Sequence, residues 1–103
     1  MDAPTNGMRP IHPGEVLREE FLLPIGLSAH ALSMAMHVPA PRINDIVRER
    51  RGVTADTALR LARYFGTSAE FWMGLQSDHE MAVARTALFD ALASITPRQP
   101  LAA

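Results

Sequence analysis

The chain has 103 residues, 10 basic and 11 acidic side chains, no cysteine and 48% hydrophobic residues. That length fits one domain with one small core, and excludes a dinucleotide-binding pair of halves, an α/β barrel or a kinase. A net charge of −1 with this apolar content excludes a disordered chain, and the missing cysteines exclude disulfide frameworks, thiolate catalysis and cysteine zinc sites.

All ten basic residues are arginine. No apolar run approaches the ~20 residues of a membrane span and no charged stretch leads into an apolar one at the N-terminus, so a cytoplasmic protein is expected. The near-neutral total argues against nucleic acid, but the total hides a distribution. Residues 1–39 balance to −2, residues 40–65 to +3 and residues 66–103 to −2. The +3 comes from Arg42, Arg48, Arg50, Arg51, Arg60 and Arg63 against Asp45, Glu49 and Asp56.

Sparse β-branched residues and absent period-2 alternation predict an all-α fold. The first helix is expected to start near Pro13, with Glu15 at its positive end and Leu17 and Phe21 inward, and to stop before Pro24-Ile25-Gly26. Ser28 caps a short second helix to Met36, burying Leu32 and Met36. His37-Val38-Pro39 forms a tight connection, and a third helix runs to about Arg48 with Ile43, Ile46 and Val47 inward. Thr54 caps a fourth helix whose Ala58, Leu61, Ala62 and Phe65 recur at i, i+3, i+4 and i+7. Gly66 suits its left-handed end. Thr67-Ser68-Ala69-Glu70 reads as a capping box opening a fifth helix with Phe71, Trp72 and Leu75. From Asp78 to Ile95, the residues Met81, Ala84, Leu88, Ala91 and Ile95 form a heptad-like seam on a C-terminal helix. The expected organisation is therefore a flexible tail over 1–8, a helical domain over 9–76, a C-terminal helix over 77–95 and a second tail over 96–103.

Two short helices joined by a tight turn are the arrangement whose second member enters a DNA major groove. Its first turn here carries Ala40, Pro41, Arg42, Asn44 and Asp45; arginine suits guanine and asparagine suits adenine. Arg48, Arg50 and Arg51 follow where phosphates would be gripped, and His30 stands one residue inside the supporting helix. A solvated arginine face on an ordinary helical bundle fits the same pattern.

The four histidines His12, His30, His37 and His79 show no metal-ligand spacing, so separate surface, cap or turn roles are expected and no metal or cofactor. Glu19 and Glu20 point to different helix faces and make no acid/base pair. No nucleophile elbow or phosphate-cradling glycine loop is present, which leaves an enzyme reading without residues. Phe71 is expected in the core and Trp72 shared between core and interface; the Met81–Ile95 seam suits either folding back on the domain or pairing with a second copy, and a dimer interface is expected.

The run His12-Pro13-Gly14-Glu15, continuing through Leu17-Arg18-Glu19-Glu20-Phe21, resembles the opening of HigA-type (VapI-like) antitoxins of the XRE helix-turn-helix class. The likeness continues through Gly26-Leu27-Ser28, Val38-Pro39-Ala40 and Arg42-Ile43, is densest from Arg51 to Ser68, and includes Glu70-Phe71-Trp72 with Leu75-Gln76. It covers roughly residues 9–95. The resemblance implies a lambda-repressor-like domain of five or six helices. It implies a homodimer on a palindromic operator of its own promoter, and direct neutralisation of a HigB toxin, a RelE-like mRNA nuclease usually encoded just upstream. By position, Pro39–Val47 would be the recognition helix and Ser28–Met36 its support. Three positions depart from the family pattern. Pro41 replaces a polar residue and moves the expected helix start towards itself, His37 replaces a turn glycine, and Arg48-Glu49 replaces Asn-Gly. An orphan regulator of the same fold, and a helical interaction module that has lost DNA binding, are the alternatives.

Overall fold

The computed structural model describes residues 9–99. The tails expected at 1–8 and beyond residue 99 lie outside this range, while residues 96–99 are exposed and outside any helix. Six helical rods follow one another, with no strand among the described residues. None of these helices is long and apolar enough to cross a membrane.

The first rod, α1, spans residues 13–25 as three consecutive pieces: an α-helical turn Pro13–Val16, a π-helical stretch Leu17–Leu22 and a last turn Leu23–Ile25. His12 caps its start through a 2.8 Å hydrogen bond from the Gly14 amide to Nδ1. Contrary to expectation, the rod passes through Pro24 and stops only at Gly26, whose φ of 65° is left-handed. A proline inside an α-helix lacks a donor and crowds the carbonyl four residues back. Here the wider π turn precedes it, with the Leu23 amide reaching back to the Arg18 carbonyl.

The next helices are α2 (Ala29–Ala35), α3 (Ala40–Val47) and α4 (Ala55–Phe65). The expected caps hold: Ser28 Oγ accepts from the Ala31 amide at 3.0 Å, and Thr54 Oγ1 accepts from the Thr57 amide at 3.4 Å. Gly66 ends α4 with φ 74°. Helix α3 begins at Ala40, between the two expected prolines, with Pro39 as its cap residue and Pro41 in the first turn, where a missing amide donor costs nothing.

The C-terminal third departs further. One continuous helix, α5 (Ala69–Ala87), replaces the expected fifth and C-terminal helices, and a short α6 (Phe89–Ala93) follows. The boundary expected between residues 76 and 77 falls inside α5, where Gln76 donates to Glu80 one turn on at 2.7 Å. Gly74 faces open space and does not interrupt it. The cap is Ser68, accepting from the Phe71 amide at 3.0 Å. Thr67, the expected box residue, instead accepts from Trp72 Nε1 at 2.8 Å.

Leu17, Leu32, Ile43, Ile46, Ala58, Leu61 and Trp72 form the fully buried centre. Phe21 and Phe65 pack around it, with ring centroids 4.9 Å from Trp72 to Phe21 and 5.0 Å from Phe21 to Phe65. Phe71, expected in the core, is 40% exposed, and Trp72, expected to be shared between core and interface, is 0% exposed. Trp72 lies deep in the core and has no surface to offer a partner. At about 100° per residue the two neighbours cannot both face inward; Trp72 takes the core, packed against Phe21 and Phe65, with its N–H satisfied by Thr67.

Candidate nucleic-acid interface

Helices α2 and α3 pack closely, and His37 turns the chain between them with φ 59°. Its amide donates to the Met34 carbonyl at 3.2 Å, and that of Val38 to Ser33 at 3.0 Å. The far end of α3 is closed similarly by Glu49 at φ 63°, so the left-handed turn expected of a glycine is made twice by other residues.

Ile43 and Ile46 point α3 into the core and set its rotation. At 100° per residue, Pro41, Asn44, Asp45 and Arg48 then lie opposite the core, while Arg42 stands on the flank towards α4. Ser28, His30, Pro39, Pro41, Arg48, Arg50 and Arg51 are exposed, and Ala40, Arg42, Asn44 and Asp45 half-exposed. Ser28 already spends its oxygen on the α2 cap.

The arginines divide into tied and untied. Arg42 Nη1 donates to Asp56 Oδ1 at 2.7 Å, and Arg60 Nε reaches the same oxygen at 2.7 Å. The Arg60 hydrogen bond foremost, with Arg42 beside it, holds the Asp56 carboxyl below its ordinary range. Arg51 sits 3.5 Å from Asp45, and the Arg50 amide donates to the Asp45 carbonyl at 2.8 Å. Arg48 and Arg50 form no ion pair among the described residues, which leaves both charges available to an anion. Arg42, Arg51, Thr54 and Asp56 share a shallow polar recess of about 250 Å³ at this edge.

The face is held from behind. Arg18 of α1 donates through Nη1 to the Val47 carbonyl and through Nη2 to Glu49 at 3.4 Å. Gly14 lets α1 approach α3 so closely that a Cβ there would stand 1.7 Å from the Ile46 carbonyl oxygen. Gln76, buried, accepts from the Val53 amide at 2.7 Å and fixes the loop after α3 to α5. Arg18, Asp56, Arg60 and Gln76 were not picked out as site residues by sequence pattern, because each acts on a partner far along the chain.

His12 and His79 do not stay separate: their rings meet edge to face at 4.8 Å. No third metal-ligating side chain joins them among the described residues.

A supporting helix, a left-handed turn and a second helix with a polar outward face and a basic exit loop define a helix-turn-helix protein. The helix-turn-helix family matches residues 17–72. Over 79 residues the chain is 61% identical to virulence-associated protein I of Dichelobacter nodosus, covering 77% of this chain and 73% of that one. It is 39% identical over 69 residues to antitoxin HigA-1 of Vibrio cholerae, covering 66% and 64%. A solved structure of Pseudomonas aeruginosa antitoxin HigA with the higBA promoter superposes with a TM-score of 0.85 at 53% identity, over 88% of this chain and all of that one. The chain belongs to the XRE-type helix-turn-helix family, whose members are DNA-binding regulators and antitoxins and not enzymes.

Proposed function

We propose that this protein is a HigA-like antitoxin that represses its own promoter and neutralises a HigB-like toxin by direct contact. The observation that carries the reading is its likeness, at 53% identity, to an antitoxin HigA solved with its promoter. The division of arginines supports it. Arg48 and Arg50, exposed and without acidic partners among the described residues, suit phosphates, while Arg42 and Asn44, nearer the helix start, suit base edges. Ser28, His30, Pro39, Ala40, Pro41, Asp45 and Arg51 complete the proposed contact surface.

A palindromic operator requires a two-fold partner. Met81, Leu88 and Ile95 are exposed, with Ala84 and Ala91 among them, and offer an apolar surface for a second copy. The break at Leu88, where φ is −101° and ψ 9°, divides the expected straight seam between α5 and the chain beyond it.

The test is titration of the purified protein onto a duplex of its own promoter and onto a random duplex at two salt concentrations. Promoter binding should exceed random binding by about a thousandfold or more. Arg50→Ala should weaken both duplexes about equally and flatten the salt slope by about one. Co-expression with the neighbouring gene should restore growth if that gene encodes the toxin. Equal affinity for both duplexes overturns the repressor reading, and unrelieved toxicity overturns the antitoxin reading.

A further inference from the structure

Asp56 stands in the first turn of α4, outside the helix pair that meets DNA, yet its carboxylate reaches back to that pair. A single oxygen, Oδ1, receives Arg42 Nη1 from α3 and Arg60 Nε from the next turn of α4, both at 2.7 Å. Arg60 carries the connection onward, donating through Nη1 to the Met36 carbonyl at the end of α2 at 2.8 Å. The supporting helix, α4 and the flank of α3 are thus joined by one run of charge-assisted hydrogen bonds.

We propose that Asp56 is a positioning residue for base reading: it grips Arg42 by Nη1 and leaves the Nε–Nη2 edge free for a guanine. The inference rests on the operator-binding reading. An arginine side chain has several rotatable bonds, and an unrestrained one reaches a phosphate as readily as a base. Phosphate contact carries no sequence information. Guanidinium has five N–H donors in a fixed fork. One donated to Asp56 leaves a two-donor edge with the spacing of guanine O6 and N7. Arg60 holds the carboxylate in place in turn, so Arg42 is restrained before DNA arrives and fewer rotamers are lost on binding.

The test is a double-mutant cycle of Asp56→Asn and Arg42→Ala, read by fluorescence anisotropy on promoter and random duplexes. Asp56→Asn should lower the promoter-to-random affinity ratio roughly tenfold, through weaker promoter binding. Random binding should hold or tighten, since a negative charge beside DNA is gone. Added to Arg42→Ala, it should cost no further discrimination. Asp56 is exposed and Asn still suits a first helical turn, so thermal melting should be nearly unchanged, a readout that a purely structural role would move.

An undiminished ratio in Asp56→Asn, beside a wild type that discriminates, overturns this inference alone. So does tighter promoter binding, which would make Asp56 a restraint on Arg42. A wild type that does not discriminate overturns the operator reading and this inference with it.

Discussion

His12 presents Nδ1 to the Gly14 amide at the start of α1 while its ring meets His79 of α5. Burial first, and the neighbouring His79 second, push its pKa below the ordinary 6.5. The unfolded chain therefore binds more protons than the folded one in this range, and stability rises with pH. The contribution is complete above 6.5 and is lost as pH falls from there through the folded value. The urea midpoint should drop between about pH 7.5 and about pH 5.5. In His12→Asn, which keeps a cap acceptor without titrating, that drop should shrink; an identical slope in both proteins refutes the assignment. Glu15, held low by its hydrogen bond from Arg9, makes a separate contribution of the same sign, in the lower range below its ordinary 4.5. A surface, cap or turn role is expected of each histidine, and the cap is the one His12 takes. The contact with His79 was not readable, because 66 intervening positions leave no local pattern.

The elements were legible at most termini decided by their own residues, although the cap of the fifth helix falls on Ser68, one residue past the expected Thr67. Ser28, Thr54 and Gly66 each mark an end through a side chain or a dihedral within three residues, and each does so in the structure. Pro24 misled because its cost presumes regular α-helical spacing, which the π turn before it relaxes. The break expected after Gln76 does not occur, since the side chain bonds along the helix to Glu80. Gly14 is the strongest element-level constraint that pattern did not reveal. It lies within a motif, but the reason is the Ile46 carbonyl pressed against it from α3. Gly14→Ala should force the two helices apart and cost roughly 2–4 kcal/mol by denaturant unfolding. Weaker promoter binding should accompany it, because α3 moves with the contact. A loss under about 0.5 kcal/mol, the range of ordinary surface substitutions, would mean that α1 and α3 are not packed this closely.

The molecule extends 53 × 29 × 21 Å, and its radius of gyration is 17.0 Å. A compact chain of this length would have about 13 Å. The excess fits the end of α5 and α6, which leave the core with Val83, Leu88, Phe89 and Leu92 exposed. Ending the chain at Glu80 removes this apolar surface, with Met81, Ala84, Leu88, Ala91 and Ile95, and none of the buried core. If it joins two copies, light scattering should show the dimer dissociation constant rising at least about tenfold, with the helical domain still folded. An unchanged dimer would move the interface elsewhere. The whole-chain charge of −1 is likewise a poor summary, since residues 40–65 hold +3 between acidic flanks.

The left-handed residues at either end of α3 fix more than its direction. His37 and Glu49 act as stops, and the helix between them has no room to slide in register. A slip of one residue would bring Val38 into a left-handed turn, which a β-branched side chain resists. The outward residues join the second stop through their backbone, the Asp45 carbonyl accepting from the Arg50 amide at 2.8 Å and that of Asn44 from the Arg48 amide at 3.1 Å, so their side chains are free to vary. The frame is thereby uncoupled from the letters it carries: substitutions on the outward face change the side chains presented without shifting where the helix begins.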